Sequence, residues 1–455
     1  MHSIMHSLGK KESLLLLGGD IIFFLLSLWI SLALRGLSFP SAELFRTHLV
    51  PFGLLFVVWV IGFYIAGLYD KHTITLQSRL PSILFNTQVA NSIIAVLFFY
   101  LIPFFGIAPK TLLFIDLIIS FFIILSWRMY GYFLIGRRDP EKAILIGSGD
   151  EIKELYEEVN ANPLHNLHFV TSVDLSRADN PGFWGEIIER VYAEDISLIV
   201  LDLTSQKVEP VLPYLYNLIF SKVRFVDMHK IYEDIFDRVP LSLLTYNWFL
   251  ENISTHPRVA YDALKRVMDI VISLPFALVS LIVYPFVYIA IKLDDGGPIF
   301  IAQERVGKNN KLIHILKFRT MTGNDNGQYG KEGTTSLRAT RVGAFLRTSR
   351  IDELPQLWSV LKGDQSLIGP RPELPQLVKL YEKEIPYYNV RYIIKPGLSG
   401  WAQIYQENHP HHGQAVNETK EKLSYDLYYI KNRSLWVDIK IALKTIKTLL
   451  SRVGK

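Results

Sequence analysis

The sequence has 455 residues, enough for two or three domains, and half of them are hydrophobic. A mean hydropathy of +0.22 is too high for an ordinary soluble protein, and the absence of cysteine excludes disulfides, cysteine nucleophiles and thiolate metal sites. The net charge of +5 suits an anionic membrane surface or a phosphate-bearing substrate better than a nucleic-acid partner.

Four long apolar segments predict a transmembrane helical bundle over residues 1–138. Each is close to the ~20 residues that cross a bilayer, and they are residues 14–34, 50–69, 87–105 and 111–133. Most basic residues outside the segments fall on one side of this path, namely Lys10, Lys11, Lys71, Arg79, Arg137 and Arg138. By the positive-inside rule, both ends of the bundle lie in the cytoplasm.

Two acidic residues, Asp20 and Asp116, lie inside these apolar segments. A carboxylate within a membrane is a functional candidate, because its burial is costly without a partner. The alternative is that each acid pairs with another residue inside the bundle. The sequence leaves both interpretations open.

Residues 139–253 alternate strand-like and helix-like stretches, which predicts a small parallel α/β domain of Rossmann-like type. Strand-like runs occupy residues 143–147, 167–173, 196–203 and 223–228. A G-x-G sequence at 147–149 follows the first run, as in dinucleotide-binding folds. However, Ile152 replaces the third glycine, and Asp174 is farther along the chain than the usual ribose-binding acid. Nucleotide binding and a purely structural domain both stay open.

Residues 254–455 form the third predicted domain, mostly helical, which begins with K-R-V-M-D at 265–269 and an apolar run over 270–291. That run could span a bilayer, but a span would carry the rest of the chain to the far side. Pro275 and Pro285 can each break or kink a helix, since each removes a backbone hydrogen bond. We therefore predict a re-entrant membrane helix at about 264–292 that enters and leaves by the same face.

An acid pair, Asp352 and Glu353, stands directly before an apolar helical pattern over residues 354–361. Pro355 fits the first turn of that helix, and the following G-P-R-P turn presents Arg371. Two carboxylates at a helix start, facing a fixed guanidinium, could carry phosphate chemistry. The alternative is that the two acids only cap the helix.

Two further patterns near the C-terminus each have two interpretations. The histidine cluster His409, His411 and His412 could bind a metal, but its polar, glycine-containing surroundings favour a solvated loop. Residues 435–450 predict an amphipathic helix that carries lysines on one side and a tryptophan on its apolar side. Such a helix suits a membrane surface, and it would equally suit core packing with a solvated lysine face.

Eight motifs in fixed order carry a resemblance to one family. They are K-R-V-M-D (265–269), G-G-P-I-F (296–300), Q-E-R-V-G (303–307), K-F-R-T-M (317–321), R-I-D-E-L-P-Q-L (350–357), G-P-R-P-E (369–373), K-P-G-L-S-G-W-A-Q (395–403) and Y-D-L-Y-Y-I-K-N-R-S-L-W-V-D (425–438). Over residues 261–451 the chain resembles the bacterial sugar transferases called polyprenyl-phosphate phosphoglycosyltransferases. With its upstream bundle and α/β domain it is similar to the long form, which includes undecaprenyl-phosphate galactose or glucose phosphotransferases.

The resemblance implies a reaction, its partners and its location. A sugar 1-phosphate would pass from a UDP-sugar to undecaprenyl (polyprenyl) phosphate with release of UMP, as the first membrane step of exopolysaccharide, capsule or O-antigen assembly. The chain would be a multi-pass protein of the bacterial inner (cytoplasmic) membrane with its catalytic domain on the cytoplasmic face. It would use Mg2+, bind no nucleic acid, and could form a homodimer.

The resemblance also implies roles for individual residues. Asp352 would be the nucleophile that forms a covalent aspartyl-phosphosugar intermediate, splitting one difficult step into two, and magnesium would accompany it. Glu353 would act as acid or base. The cations that would bind the substrate phosphates are Lys317, Arg319, Arg371 and Arg305.

The chain departs from the family pattern at the predicted helix break. The family carries a Ser-Pro pair there, whereas this chain has Leu281 and Ile282, with Pro285 one turn later and an extra proline at 275.

Two other functional classes stay open: an NAD-dependent, membrane-tethered enzyme that modifies sugar nucleotides through residues 147–149, and a non-catalytic membrane scaffold. The α/β domain lacks an evident Tyr-x-x-x-Lys pair, which weighs against the first. The sequence does not name the transferred sugar.

Overall fold

The computed structural model describes residues 4–69, 80–101, 110–134, 140–162, 165, 167–175, 182–203, 208, 215–216, 218, 220, 223–254, 258–323, 337–406 and 416–451. The histidine cluster at 409–412 and the basic residues Lys71, Arg79, Arg137 and Arg138 lie outside these residues. The chain divides into two compact units, Met1–Asp234 and Ile235–Lys455.

Four membrane-length helices open the first unit, where the sequence predicts them: α1 (Ile4–Gly36), α2 (Ala42–Ala66), α3 (Leu80–Leu101) and α4 (Lys110–Leu134). Aromatic rings fill their core, since Phe24 stacks on Phe56 at a centroid distance of 5.1 Å and also contacts Trp59 and Phe63. The described part of the chain holds five helices that are long and apolar enough to cross a membrane, of which these are four.

The two acids inside the bundle have different partners. Asp20 forms a buried ion pair with Arg128 of α4 and accepts a hydrogen bond of 2.7 Å from Tyr69. Asp116 accepts hydrogen bonds from Ser27 at 2.8 Å and Ser31 at 3.4 Å. The structure thus supports pairing inside the bundle for Asp20, through an arginine that sequence analysis did not consider.

A four-stranded parallel sheet completes the first unit, as predicted. Its strands are β1 (Glu141–Gly147), β2 (Leu167–Asp174), β3 (Leu198–Leu201) and β4 (Arg224–Asp227), in the order β2-β1-β3-β4. The described helices are α5 (Asp150–Ala161), α6 (Phe183–Ala193) and α7 (Met228–Phe236). β1 and β3 form the centre because they are continuous apolar runs, as expected for strands covered on both faces.

The second unit is mostly helical and has two small sheets. Its helices are α8 (Tyr246–Asn252), α9 (Val259–Asp294), α10 (Arg341–Thr348), α11 (Gln356–Lys362), α12 (Pro375–Glu384), α13 (Trp401–Tyr405), α14 (Val416–Asn432) and α15 (Leu435–Ser451). The strands β5 (Phe300–Val306) and β6 (Leu312–Phe318) form an antiparallel hairpin, and β7 (Ser366–Ile368) pairs in parallel with β8 (Gly397–Ser399).

The division between the units lies before the predicted domain boundary at 253/254. Val239, Leu244 and Trp248 are buried in the main core of the second unit. The indole nitrogen of Trp401 also donates a hydrogen bond of 2.8 Å to the carbonyl oxygen of Asp237. Residues 235–253 therefore pack as part of the second unit rather than of the α/β domain.

Helix α9 is continuous through both prolines. It contains 36 residues, which at 1.5 Å each is about 54 Å of helix, and neither Pro275 nor Pro285 ends it. A break of the membrane helix at Pro275 or Pro285 therefore takes no form beyond a kink, and that kink stays a prediction. A proline can remain inside a helix when only its own hydrogen bond is lost and the neighbouring turns continue, and the usual result is a kink.

Both halves of α9 pack against the same unit. In the first half, Lys265 pairs with Asp438 at 2.9 Å, and Asp269 accepts a hydrogen bond of 3.0 Å from the backbone N–H of Leu367. In the second half, Val287 and Ile291 belong to a buried cluster with side chains of β6 and α10. The K-R-V-M-D motif thus anchors the helix to the second unit.

Candidate active site

The acid pair lies in a short 3-10 turn, Ile351–Glu353, which Leu354 and Pro355 separate from α11. Arg350 has a positive φ of 59° and turns the chain sharply between α10 and this turn. The N-cap of α11 is Pro355, which has no N–H to satisfy. The predicted helix therefore starts later than expected, and the two acids do not occupy its cap.

Glu353 is surrounded by cations. Its carboxylate accepts a hydrogen bond of 2.6 Å from Arg371, and it lies 3.8 Å from Nζ of Lys317 and 3.7 Å from Arg350. Burial alone would raise the pKa of Glu353, but these three positive charges outweigh it and lower the pKa to about 2. Glu353 is therefore ionised at neutral pH.

Asp352 is the next residue, yet its surroundings differ. Its side chain is buried, and Oδ1 has no hydrogen-bond partner among the described residues. Burial, with the neighbouring charge of Glu353, raises the pKa of Asp352 to about 6, although Lys317 and Arg371 oppose the rise. Two adjacent carboxylates with separated pKa values are typical of sites that give each acid its own role.

Lys317, at the end of β6, is the third titratable group of this cluster. Burial, together with the charges of Arg371 and Arg305, lowers its pKa to about 8, although Glu353 opposes the shift. Lys317 therefore still carries a positive charge at neutral pH. A depressed lysine pKa beside a carboxylate pair is a common property of functional sites.

Arg371 is held in place by a buried network that sequence analysis missed. Arg391 donates a hydrogen bond of 2.9 Å to the carbonyl oxygen of Arg371, pairs with Asp426 at 2.7 Å and donates to the hydroxyl of Tyr388 at 2.7 Å. Arg391 is itself fully buried. The planar guanidinium can make these contacts together because its donors point in fixed directions. Asp426 lies in the quoted Y-D-L-Y-Y motif, but Arg391 lies in none of the quoted motifs.

A second pair supports the same G-P-R-P-E turn. Glu373 forms an ion pair with Lys422 of α14, and Arg305 donates a hydrogen bond of 3.4 Å to the carbonyl oxygen of Pro372. Arg305 thus lies beside the turn, and its contact with a substrate phosphate stays a prediction. Its contacts position the turn, and its positive charge contributes to the lowered pKa of Lys317.

Arg319 has a different location from the one predicted. Its guanidinium pairs with Asp295, which follows α9, and it donates hydrogen bonds to the carbonyl oxygens of Pro298 at 2.7 Å and Met321 at 3.2 Å. These contacts fix the G-G-P turn to β6. Arg319 therefore pairs with Asp295 rather than with the acid pair, and its phosphate contact stays a prediction.

The cluster can bind anions and attack an electrophile. Lys317, Arg350 and Arg371 place positive charge where a phosphate group could bind. Asp352 offers a buried carboxylate oxygen without a hydrogen bond. Such an oxygen also suits a hard divalent cation such as Mg2+, which prefers carboxylate and phosphate ligands.

Comparison with known proteins places these residues in one family. Residues 260–452 match the family model described as bacterial sugar transferase. The chain is 44% identical over 206 residues to the UDP-N-acetylgalactosamine-undecaprenyl-phosphate N-acetylgalactosaminephosphotransferase of Aeromonas hydrophila, over 44% of this chain and 46% of that protein. It is 30% identical over 331 residues to the undecaprenyl-phosphate glucose phosphotransferase of Komagataeibacter xylinus, over 68% of this chain and 59% of that protein.

The match covers a larger share of a third, shorter relative. The chain is 40% identical over 199 residues to the UDP-glucose:undecaprenyl-phosphate glucose-1-phosphate transferase of Caulobacter vibrioides, over 43% of this chain and 73% of that protein. The chain thus spans about half the length of the Aeromonas and Komagataeibacter relatives and about three quarters of the Caulobacter one.

Proposed function

The chain belongs to the bacterial sugar transferase family, and on that premise we propose that it transfers a sugar 1-phosphate from a UDP-sugar to undecaprenyl phosphate, with release of UMP. The observation that supports this proposal is that the two acids of the pair have different surroundings. Cations hold Glu353, while Asp352 keeps a buried oxygen without a hydrogen bond. Nucleophilic attack requires such an unoccupied carboxylate.

The reaction then has two displacements at one phosphorus. Asp352 attacks the sugar-bearing phosphorus of the UDP-sugar, so that an Asp–O–P bond forms and the bridging P–O bond breaks. UMP leaves with the bridging oxygen and its electron pair. An oxygen of undecaprenyl phosphate next attacks the same phosphorus and the Asp–O–P bond breaks, which restores the carboxylate. Each displacement conserves atoms and needs no external oxidant or reductant.

The cations position the diphosphate and control Glu353. An incoming diphosphate competes with Glu353 for Arg371 and Lys317, because both anions favour the same positive charges. Loss of these partners raises the pKa of Glu353 from about 2 toward its ordinary value. Glu353 then becomes a more effective acid or base only when substrate is present.

Magnesium fits this cluster through Asp352. The carboxylate of Asp352 has two hard oxygens, so that one would hold the ion while the other attacks, and Glu353 is already occupied by cations. When bound, the ion would offset negative charge on the diphosphate. The chain's own cations bind the phosphate oxygens in the same site, and Arg391 keeps Arg371 oriented toward them.

Helix α9 supports a site at the cytoplasmic surface of the inner membrane. Most of its central side chains are exposed and apolar, among them Leu274, Phe276 and Ile282. Because both halves of α9 pack against one unit, a straight crossing would require that unit to contact both sides of the bilayer. We therefore propose that the helix enters and leaves by the same face, with a bend near Pro275 or Pro285.

The last helix, α15, supports the same placement. Trp436 and Leu449 are exposed on its outer side, whereas Nζ of Lys440 lies 5.0 Å from the ring centroid of Trp401 and Nζ of Lys444 lies 4.3 Å from that of Tyr405. These two lysines are therefore not a solvated face. An exposed apolar face with tryptophan is typical of a helix at a membrane surface.

The rival functions gain less support. Ile152 is buried and lies against Gly147, so that it fills the space where a dinucleotide fold needs a third glycine. A scaffold with Asp352 as a helix cap does not match the 3-10 turn or the free Oδ1. A homodimer stays a prediction.

The proposal is tested with the purified full-length chain, undecaprenyl phosphate and a panel of UDP-sugars. We expect UMP release with at least one donor and, with donor alone, a mass increase of the intact protein by one sugar phosphate. Asp352→Asn should show neither signal. UMP release without any covalent adduct would overturn the covalent step, and no UMP release with any donor would overturn the transferase assignment.

A further inference from the structure

Three metal-ligating side chains meet in the α/β domain, within the first unit. Asp227 is the last residue of β4, and it pairs in register with Leu201 at the end of β3, so that Asp202 follows beside it. His229 stands in the first turn of α7. One ligand atom from each of Asp202, Asp227 and His229 lies within 4.8 Å of the others.

We propose that Asp202, Asp227 and His229 form a binding site for a divalent transition-metal ion. Nδ1 of His229 lies 3.2 Å from Oδ1 of Asp227 and 3.9 Å from Oδ1 of Asp202. Zinc–nitrogen and zinc–oxygen bonds are about 2.0–2.2 Å, which separates neighbouring ligand atoms of a tetrahedral site by roughly 3.4 Å. The two distances from His229 are within about 0.5 Å of that separation, so small side-chain shifts would bring its Nδ1 and both carboxylates around an ion.

Burial and charge favour a cation at this place. His229 is 2% exposed and Asp202 is 8% exposed. Two carboxylates this close repel each other in a poorly solvated environment. A divalent ion offsets both charges, whereas one neutral imidazole can donate a proton to only one of them.

The simpler interpretation is a helix cap. The backbone N–H of His229 donates a hydrogen bond of 3.3 Å to Oδ1 of Asp227, and the imidazole lies beside the same oxygen. A cap of this kind accounts for Asp227 and His229. In that interpretation Asp202 is not a ligand of the site, although its Oδ1 lies 3.9 Å from Nδ1 of His229. The two interpretations therefore differ in what Asp202 does.

The ligand types select the class of metal. One imidazole with two carboxylates suits Zn2+, Mn2+, Co2+ or Fe2+, while Mg2+ prefers oxygen ligands alone. Three protein ligands leave a coordination position for water or an anionic group. The site lies at the carboxyl edge of a parallel sheet, which is where α/β domains bind their ligands. It does not depend on the proposed transferase reaction.

The test measures metal binding by the full-length protein after treatment with a chelator, with Zn2+ and Mn2+ as separate probes. Equilibrium dialysis gives the number of bound ions. All proteins carry Asp352→Asn to remove the candidate magnesium ligand of the acid pair, and the histidine cluster at 409–412 is the same in every protein compared. We expect His229→Ala to lose one equivalent. The matched control is His168→Ala, which removes an exposed histidine from β2 of the same domain and should lose none.

Asp202→Asn separates the metal site from the helix cap, because it leaves Asp227 and His229 intact. We expect it to raise the dissociation constant of the tight site about tenfold or more, with an unchanged melting curve in chelator. Equal binding by the His229→Ala and His168→Ala proteins, unchanged affinity in Asp202→Asn, or no bound metal in the parent protein would each overturn the proposal.

Discussion

Arg371 donates a hydrogen bond of 2.6 Å to Glu353, and Oδ1 of the adjacent Asp352 has no hydrogen-bond partner among the described residues. The two carboxylates are neighbours in the chain but point into different electrostatic environments. Cations lower the pKa of Glu353 to about 2, whereas burial raises that of Asp352 to about 6. This separation is consistent with the proposed roles of Asp352 as nucleophile and Glu353 as acid or base.

Replacement of Asp352 by asparagine should abolish turnover, because an amide oxygen cannot form the covalent intermediate. We expect UMP release to fall to background while the melting temperature stays near that of the parent protein. Asp364→Asn removes a carboxylate from the turn after α11 and serves as the matched control. An Asp352→Asn protein that releases UMP near the parent rate would rule out the nucleophile.

Replacement of Glu353 by glutamine should lower kcat by about 10²–10⁴, the range for loss of a general acid or base. Glu384→Gln, an exposed position at the end of α12, should leave kcat unchanged. If both variants behaved alike, Glu353 would have no part in the reaction.

The pH profile tests the electrostatic coupling between the two acids. Asp352 must be ionised to attack, so kcat/KM of the parent protein should fall as pH decreases through about 6. Glu353→Gln removes a negative charge that raises the pKa of Asp352. The acidic limb of the residual activity should therefore move to lower pH. A limb that stays in place or moves upward would contradict the assignment.

Arg391 should act as a positioning residue through Arg371. Arg391→Lys keeps a buried positive charge but cannot make three directed contacts at once, so we expect kcat to fall ~10–100-fold. Displacement of Arg371 also removes a charge that lowers the pKa of Asp352, so the acidic limb should move to higher pH. Arg341→Lys, at the exposed start of α10, is the control. A loss of stability with an unshifted limb would indicate a purely structural role.

A truncated protein that contains only the second unit, from Ile235 onward, should catalyse the reaction by itself. A shorter form that begins at His256 should not. The shorter form lacks Val239, Leu244 and Trp248, and loss of a single buried tryptophan side chain costs about 3–5 kcal/mol. We expect UMP release from residues 235–455 in lipid and a poorly folded protein from residues 256–455. A folded but inactive 235–455 form would place part of the site upstream.

Single cysteines test whether α9 re-enters the membrane, since the chain has no native cysteine. Cysteines at Asp262 and Lys311 should both resist an impermeant thiol reagent in intact cells and react after lysis. Lys311 is preferable to the adjacent Asn310, whose positive φ of 59° would strain a cysteine. A cysteine at Ser38, between α1 and α2, should react in intact cells and is the positive control. Labelling at Lys311 from outside would show a true span.

Local pattern was enough to predict several features. The four apolar segments, the parallel strands and the C-terminal helix all appear near their predicted positions, because hydrophobic periodicity reflects which face of each element is buried. The acid pair and the G-P-R-P turn were recognisable from the order of the motifs along the chain. Local pattern did not decide whether α9 continues through Pro275 and Pro285, since the apolar run fitted both a continuous and a broken helix. Continuity depends on packing that holds the turns on either side of each proline.

Only the tertiary structure decided which charges meet. Glu353 pairs with Arg371, 18 residues away, Asp20 with Arg128, 108 residues away, and Arg319 with Asp295 rather than with the acid pair. The partner of a charged side chain depends on which elements pack together. Hydrophobic periodicity along one element does not indicate which other element it contacts. The same long-range packing buries Asp352 and raises its pKa, so the sequence located the candidate nucleophile while the fold determined its electrostatic environment.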